Sequence, residues 1–194
     1  MIAVLISVQP RWCERVSCRD KTDELRKNAP KLPVPFKCYI YQTNAMWGYP
    51  ILRSLGMNEL LDRLEAGKGK VIGEFICDKI EQIDGGNTNR ISRSSCVTID
   101  DMWEYARPKS MYDLKAWHIS ELKIYDKPKE LNQFWKHSAD GERPCEKGKH
   151  CEYEYYDYSE DCRACGIDFG GDECPHMKLS RPPQSWCYVE DQRS

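Results

Sequence analysis

Lys21-Thr22-Asp23-Glu24-Leu25-Arg26 sets a lysine, a glutamate and an arginine at i, i+3 and i+5. On an extended strand, side chains alternate between faces, so Glu24 and Arg26 share one face with Thr22. Lys21 stands at the strand's start, where the chain can turn it to either side. Opposed charges held together on a strand are costly if they face only a core. The stretch therefore reads as the wall of a polar cleft, with a Glu24–Arg26 pair that locks a barrel as the other reading. Lys21 and Arg26 have the chemistry to hold a phosphate or polarise a carbonyl. Glu24 has that of a general base, or of a group that orients Lys21.

Working outward, residues 2–8 are an apolar, β-rich run, and Pro10 opens a short helix over 10–18. Three prolines make 28–35 a loop. Residues 36–43 read as a strand, 44–58 as irregular, and Asn58 as the cap of a helix over 59–66. Alternation over 70–83 predicts one long strand, and the polar stretch 84–95 a loop. Thr98 or Asp100 caps a helix over 101–106, and 115–124 is a strand pair or one bent strand. Leu131, Phe134 and Trp135 suggest a helix over 128–137, and a final strand covers 185–190. The fold class is α+β and β-dominated: a small, partly open barrel with short peripheral helices.

The chain has 194 residues, 40% of them hydrophobic, and a net charge of −2. One domain with an appended element fits this length. A near-neutral chain exerts no global pull on nucleic acid, so any such binding needs a local basic patch. Arg11, Arg15, Arg19, Lys21, Arg26, Lys27, Lys31, Arg90 and Arg93 are its candidates, against a solvated mixed surface. The apolar start lacks a positive n-region and a cleavage site, and no run approaches the length of a membrane span. The expectation is a cytoplasmic protein with no membrane partner.

Eleven cysteines stand in the sequence. Cys38 and Cys77 lie in strand-like runs, where a free thiol acts as a small apolar residue. Five others crowd into Cys145-x5-Cys151-x10-Cys162-x2-Cys165-x8-Cys174-x-His176. A Cys-x2-Cys pair chelates one ion with little backbone strain, and tetrahedral zinc needs four ligands. About 30 polar residues bury too little apolar surface to order themselves without such a staple. The expected set is Cys145, Cys162, Cys165 and Cys174, with Cys151 and His176 as alternates, holding a structural Zn2+. Reduced disordered cysteines, or disulfides, are the other readings. The implied division is residues 1–137 plus 179–194 as the barrel and 138–178 as a Cys-rich zinc-binding insert.

Several stretches together resemble the ASCH domain of the PUA-like superfamily. These are Lys-Thr-x-Glu-x-Arg at 21–26, Ser7-Val8-Gln9-Pro10-x-Trp12, Gly69-Lys70-Val71-Ile72-Gly73-Glu74-Phe75, and Ala116-Trp117-His118-Ile119-Ser120 with Leu122-Lys123-Ile124-Tyr125. The ending Arg181-Pro182-Pro183-Gln184-Ser185-Trp186-Cys187-Tyr188-Val189 is similar to a phage- and prophage-associated branch. The chain departs from the pattern at Arg19, where the family has glycine.

The resemblance implies a cleft beside the signature strand and first helix, lined by Ser7, Gln9, Trp12, Lys21, Glu24 and Arg26. Chemically the set is coherent, since Trp12 offers a stacking face and Gln9 a base-edge partner. Tyr41 and Gln42 are candidates for the cleft's rim, and His118 reads as a structural residue. The implied function is an RNA- or modified-nucleotide-binding module. An alternative is a small amidohydrolase acting on an acylated nucleoside, with Lys21 and Glu24 as catalytic candidates. Here Glu24 stands where those enzymes have threonine. A third reading is a phage-derived module that binds a host protein through Tyr153, Tyr155, Tyr156 and Tyr158.

Overall fold

In the computed structural model, which describes residues 2–137 and 178–192, β1 (Ile2–Val8) is apolar at consecutive positions because both its faces are covered. Val4, Ile6 and Val8 face one core, and Ala3 and Leu5 another. The Cys-rich stretch, including every expected zinc ligand and the four clustered tyrosines, lies outside the described residues.

Nine strands form two sheets among the described residues. The larger has the order β7-β4-β3-β1-β9-β8, from Ser120–Lys129, Val71–Cys77, Phe36–Gln42, β1, Trp186–Glu190 and Lys136–His137. Its β1 and β3 run parallel, and the other pairs are antiparallel. The smaller has the order β2-β6-β5, from Asp23–Arg26, Lys115–His118 and Ile80–Gln82. The run at 70–83 is two strands, because at Asp78-Lys79 the chain crosses from the larger sheet to the smaller. The return crossing, from β6 to β7, is at Ile119. His118 N donates to Lys79 O at 2.9 Å and Ile119 N to Thr22 O at 2.9 Å, joining the crossings into a barrel corner. Gly73 has its reason at the β4–β7 pairing: a Cβ there would collide with the Lys123 carbonyl.

The main core lies between the sheets, closed by α1 (Pro10–Ser17), α2 (Pro50–Ser54) and α3 (Asn58–Ala66). Cys13, Cys38 and Cys77 sit in it as small apolar groups, and burial raises their thiol pKa values, Cys77 to about 12. The α2 helix falls in a stretch expected to be irregular. Asn58 is the first residue of α3, and Met57 takes the cap position.

A third cluster packs the outer side of the small sheet against α4 (Thr88–Ser95) and α5 (Ile99–Ala106), which Thr98 caps. The expected loop at 84–95 thus contains a helix. The Asp84 carboxylate gathers the Gly86 and Asn87 amides at 2.8 and 2.9 Å, and Thr88, Ile91 and Ser95 then bury one face. The helix expected over 128–137 is instead the end of β7, a 3-10 turn (Leu131–Gln133) and β8. The i, i+3 spacing of Leu131 and Phe134 suits that tighter turn as well. Phe134 stacks edge-on against Tyr39 at 4.9 Å.

Candidate functional site

Two properties of β2 decide where its charges go. Its pairing sets Glu24 opposite Trp117, so Glu24 and Arg26 project toward the main core while Asp23 and Leu25 face α4 and α5. Lys21, just before the strand, folds its ammonium back over the strand's open edge. The Lys21 Nζ donates to Asp23 O at 2.8 Å and Ser95 O at 2.9 Å, and lies 3.3 Å from Glu24 Oε2. An ammonium has three donors, and all three are occupied.

Arg26 is tied just as closely. Its Nη2 lies 2.9 Å from Glu24 Oε1 and donates to Ser7 O at 2.8 Å. Its Nη1 donates to Ser185 O at 3.1 Å and Ser185 Oγ at 3.3 Å. The Lys21, Glu24 and Arg26 side chains are 2%, 9% and 7% exposed, so solvent screens the cluster little. The arrangement clamps β2 to the end of β1 and the start of β9. Ser7 belongs to this clamp: its Oγ donates to Pro183 O at 2.6 Å. Two buried donors beside it, Arg26 Nε and Trp117 Nε1, have no acceptor among the described residues.

Trp12 is half-buried against the main core, with Lys21 Nζ 5.3 Å and Arg11 Cζ 4.6 Å from its ring. Its indole therefore supports the two cations. Across the cluster, Tyr105 of α5 is within electrostatic reach of Arg26 and Glu24. Burial raises its pKa, Arg26 acting against the rise and Glu24 with it. The Lys27 ammonium lies 5.2 Å from the Tyr105 ring.

Beside the charged clamp, at the start of α1, is a shallow groove of about 210 Å³ lined by Gln9, Pro10, Arg11, Ala45, Met46 and Trp47. Its lining differs from the clamp in exposure and pairing. Gln9 and Arg11 are exposed, and neither side chain makes a hydrogen bond or ion pair among the described residues. Met46 is 97% and Trp47 37% exposed. The sequence pointed to Gln9 but missed Trp47 and Met46, whose stretch between β3 and α2 carries no periodicity.

The remaining expected residues fall elsewhere. Tyr41 and Gln42 are buried and do not rim a cleft; Gln42 Nε2 donates to Leu64 O at 2.6 Å inside the core. His118 pairs with Asp78 at 2.7 Å on the surface, which holds the Asp78 carboxyl below its usual range. Among the described residues, no three His, Cys, Asp or Glu side chains are grouped to hold a metal, and no helix is long and apolar enough to cross a membrane.

No family profile and no curated protein matches the chain. Among solved structures it is similar to the crystal structure of ASCH from Zymomonas mobilis, with a TM-score of 0.47 and 18% identity over 68% of this chain and 75% of that one. Mutants of the same protein give TM-scores of 0.46 and 0.45 at 18% identity. These solved structures are of an ASCH protein and its mutants.

Proposed function

We propose that the chain is a binding module for single-stranded RNA or a nucleotide-like ligand, received in the groove at the start of α1. The observation that carries this reading is the contrast between two neighbouring sets of polar side chains. Lys21, Glu24 and Arg26 are buried and occupied by one another and by backbone carbonyls. Gln9 and Arg11 are exposed, form no hydrogen bond or ion pair among the described residues, and line the groove with Trp47. A ring for stacking, an amide for a base edge and a guanidinium for phosphate are the parts that unpaired-base recognition uses.

Fluorescence anisotropy with short single-stranded RNA and DNA tests it. Micromolar, salt-sensitive binding is expected. Trp47→Ala should weaken it by about tenfold, the usual worth of one stacked base. Arg11→Ala should weaken it across sequences and lower the salt slope by about one. No salt-sensitive binding, or binding indifferent to both changes, would overturn the reading. Hydrolysis of an acylated nucleoside through Lys21 would require the ammonium to give up one of its three acceptors. A nucleoside panel with wild type and Lys21→Ala addresses that alternative.

The Cys-rich stretch is proposed as a zinc staple held by Cys145, Cys162, Cys165 and Cys174, with Cys151 and His176 as alternates. Ligand spacing supports it. Metal analysis of untagged protein should give close to one zinc per chain, and chelation should alter the circular dichroism. A value near zero with no effect of chelator would refute it.

A further inference from the structure

Glu14 is the one fully buried carboxylate of α1, and its surroundings bear on the groove. It is 0% exposed, and it has no salt-bridge partner among the described residues. Its partners are three neutral N–H donors from one stretch of chain. Oε1 accepts from Ile51 N at 2.8 Å and Leu52 N at 3.0 Å. Oε2 accepts from the Trp47 indole Nε1 at 2.8 Å. The two amides are the first that α2 exposes, since Pro50 has none.

A buried charge with neutral partners alone is costly, and a neutral isostere would ordinarily serve to accept two amide protons. The third partner explains the charge. A glutamine could offer its single carbonyl oxygen to Ile51 and Leu52, but its amide would then turn an N–H toward the Trp47 N–H. A carboxylate accepts on both oxygens and so satisfies all three donors, which an amide cannot. Trp47 is 37% exposed and lines the groove with Gln9 and Arg11. Its neighbours Met46 and Gly48 are exposed.

We propose that Glu14 is a positioning residue for ligand recognition: its carboxylate fixes the Trp47 indole so that the ring stands as a preformed stacking wall of the groove. This rests on the reading of the groove as a site for an unpaired base. A ring held before binding loses less freedom on binding than a loose one, so the carboxylate should show in affinity although it touches no ligand.

The test is a cycle of Glu14→Gln and Trp47→Phe, read by RNA affinity and by the indole N–H signals in a proton–nitrogen correlation spectrum. Trp47→Phe identifies its own signal by removing it. In wild type that signal should be protected from solvent exchange, and in Glu14→Gln the protection should be lost. Glu14→Gln should weaken RNA binding by about tenfold, the lower end of the scale for one hydrogen bond to a charged group. Trp47→Phe keeps a ring but drops the donor, leaves α2 capped, and should weaken binding by a similar factor. In the Trp47→Phe background, Glu14→Gln should then change affinity by less than about twofold.

Equal losses in both backgrounds, or none in either, would overturn the positioning role. Trp47→Phe carries the test alone if Glu14→Gln does not fold, and undiminished affinity for that variant would overturn the role too. Wild type binding RNA while Glu14→Gln is neutral refutes only this inference. Wild type failing to bind RNA refutes the groove reading and this inference together.

Discussion

Arg19 occupies the left-handed region with φ 62, at the turn between α1 and β2. This is where the motif that the stretch resembles has glycine, and the tight turn is made all the same. Arg19 N donates to Val16 O at 2.9 Å, and Asp20 N and Lys21 N both donate to Arg15 O. A Cβ in this conformation costs about 1–2 kcal/mol, partly offset by the lower entropy of an unfolded non-glycine residue. Arg19→Gly should therefore raise the unfolding free energy by about 0.5–1 kcal/mol in urea titration. Loss of the long contact from Arg19 Nη2 to Leu122 O, 3.5 Å on the surface, should matter little. An unchanged or lower midpoint would show that the turn carries no such cost. The same few residues show what the sequence held. Alternation put Glu24 and Arg26 on one face, as β2 has them, while their charges read first as the wall of a polar cleft and second as a pair that locks a barrel. The carbonyls of Ser7, Ser95 and Ser185 that occupy the cluster come from distant parts of the chain. No local pattern could have shown that the lysine and arginine were already fully engaged.

Among the described elements, β2 is short and pairs with β6 alone, so its attachment to the larger sheet depends on side chains. Arg26 supplies that attachment through Ser7 and Ser185. Removing one partner of a buried ion cluster leaves the others unpaired, at a cost of about 3–5 kcal/mol. Arg26→Ala should lose stability on that scale in chemical denaturation. Arg26→Lys should recover only part of it, because an ammonium lacks the planar fork that reaches three residues at once. A loss under about 1 kcal/mol would mean that β2 is held by apolar packing instead. Strands with strong alternation or two buried faces, such as β1 and β3, were legible. The α4 helix was not, because its buried face has one aliphatic residue and its start is wound by Asp84. The division of 70–83 into β4 and β5 was hidden too, since alternation continues through the crossing while the sheet changes.

Across the molecule, the larger sheet buries both faces, and its second face is fastened by ionisable groups near the end of β9. Asp191 lies 2.9 Å from Lys37 Nζ and accepts from the Tyr39 hydroxyl at 2.7 Å. Burial alone would raise the Asp191 pKa, but the Lys37 and Tyr39 contacts outweigh it and leave the value lowered. A depressed carboxyl stabilises the fold above its unfolded value, about 3.9, and the contribution fades as pH falls through the folded value. Urea midpoints from about pH 5 to pH 2 should fall less steeply in Asp191→Asn than in wild type. Identical slopes would exclude Asp191 as a contributor to acid unfolding. The order of the strands has one more consequence, for the timing of folding. β9, at residues 186–190, lies between β1 and β8, and Ser185 just before it receives Arg26. The first strand made must therefore wait for the last before the sheet is complete. While the chain is being synthesised, one edge of β1 stays unpaired and Arg26 waits for Ser185. The closing step pairs Ile2 with Glu190, widely separated in sequence, which is the kind of contact that folds slowly.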